Sequence, residues 1–127
     1  MPFEISRQDG YLLIRWFGSV EAADLEDMLR DLEQIEDEAT PPHRVTDFTE
    51  IADLKVAHPQ VGAFAAARRE RRLAAPIKSA LVAQKPLHFG YARMFETLND
   101  NESIEIRVFM SMAAALEWVR QSTTSED

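Results

Sequence analysis

The sequence predicts an α/β domain, a mixed five-stranded sheet covered by four helices in the order ββαβαβαβα. Three observations carry that expectation. Two strand-like segments flank Asp9-Gly10, a dipeptide suited to the tight turn of a β-hairpin. Apolar residues then switch repeatedly between the helical period of 3.6 and the strand period of 2. Each switch is marked by proline, glycine or a capping hydroxyl, at Gly18-Ser19, Pro41-Pro42, Pro59, Pro76, Pro86 and Ser111. A hairpin followed by helix–strand alternation gives one antiparallel pair joined to a largely parallel sheet.

Phe3, Ile5 and Arg7 alternate with Glu4 and Ser6, which is strand periodicity. Tyr11 to Phe17 reads as a second, more buried strand that ends at Gly18, with Ser19 as the N-cap of the next helix. Leu25, Met28, Leu29, Leu32 and Ile35 recur at helical spacing, and Thr40-Pro41-Pro42 stops that helix. Arg44 to Phe48 is a short strand, followed by a polar connection through Thr49, Asp53 and Lys55. His58-Pro59 opens a second helix, since proline costs nothing at the first helical position. An alanine-rich stretch carries it to Arg72.

Ile77 to Ala83 is the next apolar strand, and Gln84 to Phe89 reads as a loop broken by Pro86. Tyr91, Met94, Phe95 and Leu98 then form a helical stripe expected to make one apolar face. Ile104 to Phe109 alternates as the last strand, and Ser111 caps a final helix bearing Met112, Ala115, Leu116 and Val119. Residues 1–121 are expected to form a single domain, with 122–127 as a flexible tail.

At 127 residues the chain is long enough to bury a real core. It has no cysteine, which excludes disulfides, thiolate chemistry and cysteine-ligated zinc. No apolar run approaches a membrane span and no charged-then-apolar leader opens the sequence, so a cytoplasmic protein is expected. The net charge of −8 is local, because residues 21 to 38 hold nine acids against Arg30 alone. Those acids are read as the solvated face of the first helix. Opposing them, Arg68, Arg69, Arg71 and Arg72 form a basic knot within five residues. Overall acidity opposes general nucleic-acid binding.

Chemical signatures are sparse. The four glycines are scattered, which leaves no phosphate-cradling loop, and no G-x-S-x-G elbow is present. His43, His58 and His88 lie far apart, so a metal site would need them to converge with Asp47 or Asp53; none is expected. The acids Asp27 and Asp31 share an open helix face, which supplies nothing to shift their acidity. The arginine knot has two readings. Cations are favoured at a helix C-terminus, and a cationic face also suits an anionic partner such as a head group, a phosphate or an acidic protein. In a partly parallel sheet, ligands sit beyond the carboxyl ends of the strands. There the polar candidates are Asp47, His58, Lys85, His88 and Ser111, with Phe64, Tyr91, Phe95 and Trp118 as aromatic wall.

Several segments together resemble the STAS-like, SpoIIAA-like family of small bacterial proteins. They are Arg44-Val45-Thr46-Asp47-Phe48-Thr49, Ala80-Leu81-Val82, Ala92-Arg93-Met94-Phe95, and the closing Arg107-Val108-Phe109 with Ala115-Leu116-Glu117-Trp118-Val119. The closing Arg-x-Phe strand and Ala-Leu-x-Trp helix are the most specific part. The resemblance spans nearly the whole chain. It implies a sheet-and-helix sandwich related to anti-sigma-factor antagonists and to lipid-transfer domains of the CRAL-TRIO type, with no established enzymatic activity. Anti-sigma-factor antagonists carry a phosphorylatable serine in an Asp-Ser-Ser-Gly-like switch at the start of the helix after the third strand. The matching stretch here, Asp53-Leu54-Lys55-Val56-Ala57-His58-Pro59-Gln60, has no hydroxyl, which disfavours a phospho-switch.

The combined expectation is a non-enzymatic domain, without cofactor or catalytic residue, that binds a small amphipathic or anionic, lipid-like ligand. Its expected contacts are Asp47, His58, Arg68, Arg72, Lys85, His88, Tyr91 and Trp118. Weak membrane-surface contact through the arginines is a further expectation. The alternative is a protein–protein interaction module, in one form a homodimer.

Overall fold

In the computed structural model, residues 2–121 are described. The expected tail, 122–127, lies outside them. Five strands and four helices follow in the predicted order: β1 (Phe3–Gln8), β2 (Tyr11–Glu21), α1 (Ala22–Glu36), β3 (Arg44–Lys55), α2 (His58–Arg69), β4 (Ile77–Val82), α3 (Pro86–Leu98), β5 (Ile104–Phe109) and α4 (Met112–Arg120). The sheet order is β1-β2-β3-β4-β5, with β1 antiparallel to β2 and every other pair parallel. Gly10 closes the hairpin at φ +87, a conformation that costs a residue with a Cβ.

Each strand–helix–strand step joins neighbours in the same direction, so right-handed crossovers place α1, α2 and α3 on one face. The pleat sorts the side chains accordingly. Leu12, Ile14 and Trp16 of β2 pack with Met28 and Leu32 of α1, and Leu81, Ile104 and Ile106 pack with Ala92 of α3. The opposite pleat positions, Val45, Ala80 and Val82, pack with Ala115, Trp118 and Val119 of α4. Strand β4 is buried throughout, as a central parallel strand must be. Its Lys78 faces α4 and donates from Nζ to the carbonyls of Trp118 and Gln121, both at 3.0 Å, so it closes the C-terminal end of that helix.

Several boundaries differ from the sequence reading. The second strand continues through Gly18 and Ser19 to Glu21, and Gly18 sits at φ +68 beside a register shift. The cap of α1 is therefore Glu21, whose N–H donates to Asp24 Oδ2 at 2.8 Å, and not Ser19. Strand β3 does not stop at Phe48; past Asp47 it leaves β4 behind and pairs with β2 alone as far as Lys55. Two register shifts give β3 extra residues in this ribbon, and bulges of that kind bend a strand pair.

Helix α2 ends at Arg69 and does not reach Arg72. Its last carbonyls are taken by side chains. Asn101 Nδ2 donates to the carbonyls of Arg68 (3.0 Å) and Arg71 (2.5 Å), and Arg72 Nη1 donates to that of Arg69 (2.7 Å). Of the expected loop at 84–89, the residues from Pro86 onward are the first turn of α3, so His88 is a helical residue. The inward face of α3 is turned slightly from the expected stripe. His88 and Ala92 are buried and Leu98 is exposed at 37%.

Trp118 packs between α4 and the sheet with 6% exposure, against Phe109 at 5.7 Å between ring centroids. Trp118→Ala should destabilise the domain by roughly 3–5 kcal/mol. Leu98→Ala should change stability by about 0.5 kcal/mol or less. Urea unfolding of both variants checks the pair; equal losses would contradict the assigned layers.

Candidate functional site

The apolar stripe of α1, Met28 and Leu32, is continued one turn later by an acid, Glu36, buried to 3% exposure. A carboxylate so placed needs charged partners. Three arginines supply them. Arg44 opens β3 on the inward pleat and donates from Nη1 to Glu36 Oε2 at 2.5 Å and from Nε to Ser79 Oγ at 3.2 Å. Arg68, on the last turn of α2, donates from Nη2 to the same Glu36 oxygen. Arg71 donates from Nε to Glu36 Oε1 at 3.0 Å and from Nη2 to Asp37 Oδ1 at 2.7 Å.

Electrostatics here is a contest between burial and pairing. Burial raises the pKa of Glu36, but the Arg68 hydrogen bond and the nearby Arg44 charge outweigh it, and its carboxyl is held below the usual range. Burial also pushes Arg44 down to about 10, opposed by Glu36 and reinforced by Arg68, so it stays charged at neutral pH. Arg44 and Arg68 are exposed to only 6% and 4%, and they face one buried carboxylate. Among the described residues Arg68 Nη1 has no hydrogen-bond partner; Glu33 Oε2, on a half-exposed side chain, is 4.0 Å away.

Beside this cluster lies a cavity of about 110 Å³ between the sheet and helices α1, α2 and α3. Ile14, Thr46 and Leu81 form its floor, Met28 and Leu32 one side, and Val61, Phe64, Ala92 and Phe95 the other. The bulged β2–β3 ribbon contributes Leu54, with Val56 just beyond. Arg44 and Arg68 line one end. His88 and Tyr91, from the beginning and middle of α3, line the other. Burial and the Lys85 charge lower the pKa of His88 below the usual imidazole value, against the nearby Phe48 backbone, which raises it.

Of the eight expected contact residues, the cavity brings together Arg68, His88 and Tyr91. His58 stands at the rim, its ring edge-on to Tyr91 at 4.8 Å. The others lie elsewhere. Asp47 Oδ1 accepts from the N–H and hydroxyl of Thr49, and Lys85 Nζ donates to the Ile51 carbonyl at 2.6 Å. Arg72 folds back on the end of α2, and Trp118 belongs to the α4 face. Arg68 is no part of a solvent-facing basic patch, because Glu36 draws it inward. Sequence reasoning missed Arg44 and Glu36. The signals were present: Glu36 extends the buried stripe, and Arg44 shares the inward pleat of Thr46 and Phe48.

Comparison with known proteins bears on the fold. No protein-family model matches the chain, and no curated protein matches it. Among solved structures, the chain is similar to an uncharacterized protein of the DUF3478 family with a SpoIIAA-like fold from Shewanella loihica PV-4. That match has 20% identity and a TM-score of 0.58, covering 92% of this chain and 91% of the other. It is also similar to an anti-sigma factor antagonist from Mycobacterium paratuberculosis, with 12% identity and a TM-score of 0.62 over 94% and 93% of the two chains. The five-stranded sheet with four helices is a SpoIIAA-like fold, as the sequence resemblance implied.

Removing the carboxylate from the cluster leaves buried guanidinium groups uncompensated, so Glu36→Gln should cost about 3–5 kcal/mol at pH 7. Because the folded value of Glu36 is depressed, its contribution is complete above the unfolded value of ~4.3 and is lost as pH falls through the folded one. The stability gap between wild type and variant should hold from neutral pH to about 5 and shrink below it. Urea titrations across that range measure it; a gap that persists unchanged at pH 3 would contradict the assignment.

Proposed function

We propose that this chain is a non-catalytic binding domain that takes a compact amphipathic anion between its sheet and helices α1 to α3. The observation that carries the reading is the unpaired guanidinium donor at the cavity's end. Two buried guanidinium groups meet one buried carboxylate, and Arg68 Nη1 keeps a free donor. A ligand carboxylate or similar anion supplies both the charge and the acceptor. The remaining wall is apolar and suits a hydrocarbon body.

Size narrows the lipid-like expectation. A cavity of about 110 Å³ is smaller than the apolar cavity of roughly 150 Å³ that holds benzene. It encloses at most one ring or a short branch, with the rest of a longer ligand lying outside. Affinity among carboxylates should rise by about 0.8 kcal/mol per buried methylene and level off once the cavity is full. Calorimetric titration with phenylacetate, phenylacetamide, octanoate and dodecanoate tests the reading. Phenylacetate should bind about tenfold or more tightly than its neutral amide, and Arg68→Met should remove that preference. Failure of every carboxylate to bind, or equal binding of acid and amide, would overturn it.

A protein-interaction role has one observation in its favour. Leu87 and Met110 are exposed at 51% and 59% at the carboxyl ends of β4 and β5, where Gln84 Nε2 donates to the Met110 carbonyl at 3.0 Å. Sedimentation over a range of concentrations distinguishes the homodimer form of this reading, and a monomer at all concentrations would reject it.

A further inference from the structure

Among the described residues, two buried side-chain polar atoms have no partner: Arg68 Nη1 and His88 Nδ1. Both side chains line the same cavity, at opposite ends. Arg68 is anchored beside Arg44, the first residue of β3, through their shared Glu36 oxygen. His88 lies beside the backbone of Phe48, four residues further along that strand. Four strand steps separate those backbone positions by ~13 Å, and the two side chains shorten the gap from either end.

The two orphans ask for different chemistry. Guanidinium nitrogen only donates. An imidazole nitrogen donates or accepts according to its tautomer, and a hydroxyl, which does both, pairs with it in either. Nδ1 is the unpartnered atom of His88. The cavity therefore offers a charged donor at one end and an unpaired imidazole nitrogen at the other. Between them the wall is apolar, with the rings of Phe64 and Phe95 5.5 Å apart on one side. A water molecule would satisfy either orphan alone and fill none of the apolar middle.

We propose that the cavity's ligand is a one-ring hydroxyaryl carboxylate, its carboxylate on Arg68, its ring among Phe64, Phe95 and Leu81, and its hydroxyl hydrogen-bonded to His88 Nδ1. This rests on the anion-binding reading above and adds a second polar contact to it. The ring accounts for the small volume. The far hydroxyl accounts for a buried histidine that the anion alone leaves unpaired.

The test is calorimetry on the full chain with three matched pairs that differ only in the para-hydroxyl. They are benzoate and para-hydroxybenzoate, phenylacetate and para-hydroxyphenylacetate, and phenylpropionate and para-hydroxyphenylpropionate. In the pair of fitting length, the hydroxyl should strengthen binding by about tenfold. In His88→Phe the affinity ratio of the hydroxylated acid to its parent should fall to about one. Should that variant fail to fold, heteronuclear NMR of the wild-type imidazole gives the same answer: Nδ1 shifts with the hydroxylated acid and not with its parent. Parent acids that bind without any hydroxyl gain overturn this inference and leave the anion reading standing. Absence of binding by all six overturns both. A gain that survives in His88→Phe, or that leaves Nδ1 unmoved, overturns the assignment to His88.

Discussion

A carboxylate taken out of water near the end of a helix has to be answered by charge, and Glu36 is answered by three arginines from two different parts of the chain. That single demand ties the end of α1 to the start of β3 and to the end of α2. Apolar packing is non-directional and would allow the helices to slide along the sheet. The guanidinium–carboxylate contacts have fixed geometry and stop that motion. Helix α1 is thereby fastened to α2 at one end, while its middle faces a cavity and not a neighbouring backbone. The space available to a ligand follows from where the ion cluster sits.

The same demand explains why the arginine run is not a surface patch. Arg68 and Arg71 turn toward Glu36, and Arg72 turns back to the carbonyls of Arg69 and Arg71. Arg69 is exposed. Four like charges on one helix face would repel, and ending the helix at Arg69 separates them. Asn101, from the turn before β5, holds that ending in place by donating to two of its carbonyls. The acidic segment and the basic knot, distant in sequence, are thus partly the two halves of one buried structure.

Element type and order were legible because they depend on period and punctuation, which are local. Asp9-Gly10, Pro59 and Ser111 each mark the boundary that their backbone preferences require, and Ser111 Oγ accepts from Ala114 N–H at 3.1 Å. The ends of β2 and β3 were not legible. Their extension depends on mutual pairing past β4, and its polar residues, Thr49, Glu50 and Asp53, resemble a loop when read alone. The site was legible only in part. Of the expected contacts, Arg68, His88 and Tyr91 line one cavity, yet the expected group also mixed two faces of the sheet, because Asp47 and Trp118 follow the α4 pleat. Glu36 was hidden among eight other acids of its segment, and only its position on the stripe sets it apart.

Strand order equal to chain order has a consequence for biosynthesis. The hairpin of β1 and β2 is a local contact, and each later strand adds to the edge last laid down, so the sheet grows in the direction in which a ribosome releases the chain. No strand has to be inserted between two that are already paired. The ion cluster keeps a different schedule: Glu36 and Arg44 emerge close together, but Arg68 follows after another twenty-odd residues, a delay of roughly one to five seconds at ordinary translation rates. During that interval α1 carries a carboxylate with only part of its counter-charge. The nascent domain therefore holds its first three strands before it can lock its first helix.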